Sequence, residues 1–237
     1  MAEKIEQRFE VDAPVDLVWL FVTDPQHVVG CLPGASITGK LDARTYAGTV
    51  SIKVGLIAAG YSGKAIFQRV DPASYEVEIV GAGKDVKGKG SAEMRMICRL
   101  RTLGAARTQV SVSSDVNITG LLAQMGRGMI QTVADQMLRQ FNTQFAQKLL
   151  AARQKYPAIV KAHAQGFLRA FPDKLAELKS HSGLQVTEDG TNNASTPAEV
   201  MKYVEAVRRI GGDVAHTSAR IILRGAAQRD HIPFPEL

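Results

Sequence analysis

The apolar period of this chain changes once, and abruptly. Between residues 35 and 118 it runs in short segments that alternate apolar and polar side chains. Asp42-Ala43, Asp71-Pro72, Gly81-Ala82-Gly83 and Leu103-Gly104 break them. Alternation puts every second side chain on one face, so the region predicts an antiparallel meander of about six strands. From Leu121 the apolar residues recur every fourth position: Met125, Met129, Val133, Met137, Phe141, Phe145 and Leu149 follow. This predicts one amphipathic helix of about 30 residues, roughly 45 Å long.

Two further features precede the meander. Ile5, Gln7, Phe9 and Val11 share one side of an opening strand. Asp12 stands where a cap is expected, with Pro14 in the first turn of a short helix carrying Val15, Val18, Trp19 and Val22 on one face. A second short element starts at Asp24-Pro25 and ends near Cys31, before the Leu32-Pro33-Gly34 turn. The order is α+β: a bent antiparallel sheet wraps one long C-terminal helix, and each buries a face on the other. Such an arrangement can leave a cavity between sheet and helix, with Met125, Met129 and Met137 as an adaptable wall.

The sequence divides into a domain over residues 1–152 and a helical C-terminal extension over residues 153–237. In the extension Pro157 opens a helix bearing Ile159, Val160, His163, Phe167 and Phe171, and Pro172-Asp173 interrupts it. Residues 182–196 are rich in Gly, Asn, Thr and Ser and read as a linker. Thr196-Pro197-Ala198-Glu199 is a capping box that opens a helix closed at Gly211-Gly212.

Composition narrows the function. Hydrophobic residues make up 45% of the 237, enough for a real core, but no apolar run reaches a membrane span. The N-terminus has no apolar stretch behind a basic start, so no secretory leader is expected. Cys31 and Cys98 form no CxxC, which implies a reducing compartment without a disulfide framework. The net charge of +6 is spread evenly along the chain. Aromatics are only 6%, too few for nucleic-acid stacking platforms, so no nucleic-acid partner is expected. A mild attraction to anionic surfaces is the most this charge supports.

Catalytic patterns are missing. No histidines pair at i,i+4 and there is no HExxH, so no metal site is expected. The string GKDVKGKG at residues 83–90 fits GxxxxGK, but Gly90 replaces the Ser/Thr and the neighbours are strands. It reads as a lysine-rich hairpin. There is no GxSxG elbow, and Asp85 and Glu93 have no evident carboxylate partner. No residue is assigned a catalytic role. Tyr46, Tyr61 and Tyr75 are the hydroxyls a cavity would use.

Three strings carry a resemblance: APVDLVWLFVTDPQHVVGCLPGA (residues 13–35), GTVSIKVGLIAAGYSGKAIF (48–67), and GKGSA (88–92) followed by SSDVNITGLLAQMGRGMIQTVADQMLRQF (113–141). Together they resemble the CoxG family, the G subunits of carbon monoxide dehydrogenase, over about residues 4–150. The resemblance implies a helix-grip fold of the START-like (SRPBCC) superfamily. It also implies a non-catalytic accessory protein of a molybdenum-containing dehydrogenase. Such a protein would bind a lipophilic ligand such as a quinone, recruit the enzyme to the membrane, or both. No covalently bound cofactor is implied.

On this reading Val28, Leu32, Ile57, Tyr61, Phe67, Gln124, Met125, Met129, Val133 and Met137 bind the ligand, with Tyr61, Gln124 or Arg127 holding a polar headgroup. The mouth lies near residues 28–32 and the hairpin of residues 54–61. The C-terminal helices dock on the membrane, on the dehydrogenase or on the domain itself. The protein is expected in the cytoplasm, peripheral to the inner face of the cytoplasmic membrane. The alternatives are a START-like aromatase/cyclase-type enzyme and an assembly factor with no ligand.

Overall fold

In the computed structural model, which describes residues 2–54, 57–124 and 126–235, seven antiparallel strands form one sheet. They are β1 (Ala2–Val11), β2 (Ala35–Lys40), β3 (Thr45–Val54), β4 (Ile57–Asp71), β5 (Glu76–Asp85), β6 (Ser91–Gly104) and β7 (Arg107–Ile118). The order is β1-β7-β6-β5-β4-β3-β2, so the opening strand pairs with the last and every other connection is a hairpin. Alternation sets which face is buried: along β1 exposure alternates residue by residue, with Ile5, Gln7 and Phe9 turned inward. The fold is α+β, as the two periods predict, and it is the helix grip that the resemblance implies.

Two short helices, α1 (Val15–Thr23) and α2 (Pro25–Val29), join β1 to β2. Asp12 is not the cap of α1, because Pro14 occupies that position and no side chain caps it. Asp24 caps α2 instead, accepting the Gln26 backbone N–H at 2.8 Å. Helix α3 (Leu121–Gln124) is a single turn, and α4 runs from Arg127 to Ala170. The expected single helix is thus broken at its start, where Gly126 takes φ +83°, a conformation that favours glycine.

The chain forms two compact units, Met1–Gln147 and Lys148–Leu237. In the first, the core has an aromatic end. Phe21 and Phe145 are buried edge-to-face at 5.9 Å, and Phe9 and Phe141 join them. Glu76, buried on β5, is held by Arg69 and Arg99.

In the second unit the proline reading fails in an informative way. Pro157 lies inside α4 rather than opening a helix. A proline there costs about 3 kcal/mol, but local burial offsets it. Tyr156 is fully buried and donates its hydroxyl to the Pro233 carbonyl at 2.7 Å, while Asn192 Nδ2 donates to the Pro157 carbonyl at 2.9 Å. Helix α5 (Leu175–Ser182) ends at Gly183 in the left-handed conformation. Residues 183–196 are not a solvated linker. Leu184, Val186 and Ala194 are buried, and Asp189 accepts from Lys161 at 3.0 Å. Their polar side chains tie the backbone down. Helix α6 (Pro197–Arg229) opens with the expected box, Thr196 Oγ1 accepting the Glu199 N–H at 3.1 Å. It kinks at Gly212.

Candidate ligand cavity

Inward positions on a curved sheet face the helix it grips. Here several of them carry too little side chain to fill the space. On β5 the inward residues after Ile79 are Gly81 and Gly83, and their neighbours Ala65 on β4 and Ala92 on β6 are also small. A Cβ built on Gly81 would meet only the Met94 Cε, at an ordinary 3.5 Å, and the Lys64 carbonyl oxygen at 3.9 Å, so the emptiness there is not enforced by backbone crowding. The result is a cavity of about 430 Å³, within the roughly 300–1,000 Å³ of small-molecule pockets. Ile130, Val133, Ala134 and Met137 of α4 close it opposite the sheet, and Val28, Val29 and Leu32 close it beside α2.

Of the residues expected to bind a ligand, Val28, Leu32, Tyr61, Phe67, Val133 and Met137 line this cavity. Gln124 and Met129 do not: Gln124 is exposed, and Met129 is 38% exposed. The reason is helical phase. A strict four-residue repeat slips by about 40° at each step on a 3.6-residue helix, so Met129 is rotated about 80° from Met137. Ile130, one residue on, takes the inward place. Met125 and the side chain of Ile57 lie outside the described residues. Arg127 is exposed and paired with Glu3 at 2.9 Å, so it holds no headgroup in the cavity. Sequence reasoning missed Ile130 as a wall residue and the Gly81/Gly83 gap. Both were available: the first as a stripe residue, the second as glycines at inward strand positions.

The polar groups of the lining are few. Ser36 and Thr49 hydroxyls satisfy each other at 2.8 Å. Tyr61 is buried, and its hydroxyl has no hydrogen-bond partner among the described residues. Burial, with a smaller contribution from the Asp85 charge, pushes the Tyr61 phenol above its usual range, so it stays protonated and presents a donor. Among the described residues the lining holds no histidine, cysteine or aspartate, and its two charged residues, Lys64 and Glu93, are exposed. Such a wall selects for apolar surface and offers the hydroxyls of Tyr61 and of half-buried Tyr46, which also lines it, as hydrogen-bond donors. Proton transfer needs a positioned acid or base within reach of a reacting atom.

Among the described residues no three His, Cys, Asp or Glu side chains are placed to hold a metal ion. No helix among them is long and apolar enough to cross a membrane. Cys98 on β6 is buried, and burial pushes its thiol up to about 12.

A family model described as the G subunit of carbon monoxide dehydrogenase (CoxG) matches residues 8–150. No curated protein sequence matches the chain. Among solved structures, a conserved protein from Geobacillus kaustophilus is similar, with a TM-score of 0.56 and 17% identity over 62% of this chain and 94% of that one. The Zhui aromatase/cyclase from Streptomyces sp. R1128 gives 0.48 and 17% over 62% and 93%. A START superfamily protein from Mycobacterium smegmatis gives 0.42 and 16% over 61% and 95%. At these identities the likeness is one of fold.

Proposed function

This chain belongs to the CoxG family of carbon monoxide dehydrogenase, and from that premise we propose that it is a non-catalytic accessory protein whose cavity carries a lipophilic ligand. The cavity supports this reading most directly. It is apolar, about 430 Å³, and floored by Gly81 and Gly83 rather than filled. Each 100 Å² of apolar ligand surface removed from water there contributes about 2.5 kcal/mol, so affinity needs few polar contacts. The Tyr61 hydroxyl is a hydrogen-bond donor to the ligand on this reading. A quinone fits this description, with a ring carbonyl as acceptor and a prenyl chain along the Val133–Met137 wall. The partner is a molybdenum-containing dehydrogenase that the quinone serves as electron acceptor, and the protein meets the membrane peripherally.

The decisive experiment extracts the purified full chain with organic solvent and identifies what is released by mass spectrometry. A stoichiometric quinone or other prenyl lipid is expected. A chain that releases nothing and takes up no added quinone overturns the reading.

A further inference from the structure

The hairpin between β5 and β6 starts where the cavity wall ends. Gly83 and Ala92 line the cavity, and residues 84–91 continue beyond them. This segment contains one apolar side chain, Val86, and it is 63% exposed. Lys84, Lys87 and Lys89 flank it along the chain, all exposed and none in an ion pair among the described residues.

The tip is braced rather than loose. Asp85 Oδ1 accepts the backbone N–H groups of Lys87 at 2.8 Å and Lys89 at 3.2 Å, which turns the only carboxylate into the hairpin. The Val86 N–H donates to the Gly60 carbonyl at 2.8 Å, fixing the hairpin to β4. On its other side Lys89 packs on Gly120, where a Cβ would stand 1.7 Å from the Lys89 carbonyl oxygen. The fold therefore holds a branched aliphatic side chain beside Gly60 and largely exposed, in a short segment that carries three exposed lysines.

We propose that this hairpin tip docks the protein on an anionic lipid surface, with Val86 entering the interfacial layer and Lys84, Lys87 and Lys89 meeting headgroup phosphates. The size of the feature favours lipid over a protein partner. A stable protein interface takes about 800 Å² per side, far more than one valine and its neighbours offer. Lipid docking gains from each basic side chain separately and from a single inserted apolar group. The docking rests on the carrier reading and deepens it, because it sets the cavity wall beside the phase in which a lipophilic ligand dissolves.

The test is sedimentation of the full chain with vesicles of phosphatidylcholine alone and with about 30% phosphatidylglycerol added, enough to give the surface a negative potential. Binding to the anionic vesicles and not to the neutral ones is expected. A triple variant, Lys84→Gln with Lys87→Gln and Lys89→Gln, should lower the partition on the order of 100-fold, at about fivefold per lysine. Val86→Ser should lower it about tenfold. A control, Ile221→Ser with Ile222→Ser on the exposed face of α6, should bind as the parent does. Equal binding to neutral vesicles, no binding, a triple variant with parental partition, or a loss confined to the α6 control each overturns the proposal.

Uptake of a short-chain ubiquinone from detergent micelles, measured on the same proteins, separates the two readings. Its failure in the parent chain removes the carrier role and leaves the docking result standing.

Discussion

Gln7 Nε2 donates to Asp135 Oδ1 at 2.9 Å, a bond that joins the inward face of β1 to α4. Gln131 Nε2 donates to the same oxygen at 2.9 Å from one turn earlier. Asp135 thus gathers the strand and the preceding helical turn onto one carboxylate. On the same helix Ile130, Val133, Ala134 and Met137 line the cavity.

Asp135→Ala removes both bonds. A hydrogen bond to a charged group contributes about 1.5–3 kcal/mol when partly shielded, and exposure of the Gln131 bond places the loss near the lower end. Thermal unfolding should show a fall of several degrees. An unchanged melting temperature would mean that the two bonds add no net stability.

Gly81→Val adds a branched side chain where a Cβ has room. It raises strand propensity and consumes part of the 430 Å³. Quinone affinity measured by titration should drop at least tenfold while the melting temperature holds or rises. A variant that binds as well as the parent would place the ligand elsewhere.

His163 is buried, with Nδ1 2.8 Å from the Tyr203 hydroxyl and Phe167 stacked on its ring. Burial holds its pKa below the ordinary value of about 6.5. The folded second unit therefore favours the neutral imidazole. Its contribution to stability is fully present above about pH 6.5 and is lost as pH falls through the depressed folded value, because the unfolded chain binds the proton first. Denaturant titrations should show stability falling from about pH 7 to about pH 5. His163→Phe should flatten that dependence, and an equally steep slope in the variant would assign the effect to other groups.

Gly212 sits at φ 75°, ψ −171°, a region essentially reserved for glycine, and has open space around its Cα. Gly212→Ala meets no neighbour, so any cost is backbone strain, about 1–3 kcal/mol. The expected outcome is a lower denaturation midpoint with no change in slope. A neutral substitution would show that α6 straightens without penalty.

Much of the first unit is legible from residue order. Alternation through residues 35–118 and the opening Ile5, Gln7, Phe9, Val11 pattern account for all seven strands, because burying one sheet face requires period two. The helix α4 was legible as a type but not in its bounds. Gly126 breaks its start, and Pro157 fails to end it, since the burial of Tyr156 and the bond from Asn192 outweigh proline's local cost. The polar segment at residues 183–196 has linker composition, yet Asp189, Thr187, Thr191 and Lys161 bond one another and pin it. The same side chains that solvate a linker can satisfy a packed loop. Only the partners decide which.

The sequence by itself determined the strands of the first unit, their order and their alternating faces, and the start of α6 at Thr196 with Glu199, because these depend on period and on local caps. Tertiary structure decided which side of α4 meets the sheet. Val133 and Met137 face the cavity and Met129 does not, since a 3.6-residue helix cannot keep a four-residue stripe on one face. It also decided that the glycines on β5 leave a cavity rather than a closed core. Gly81 and Gly83 read as a turn in one dimension, and as missing side chains only when α4 stands opposite them.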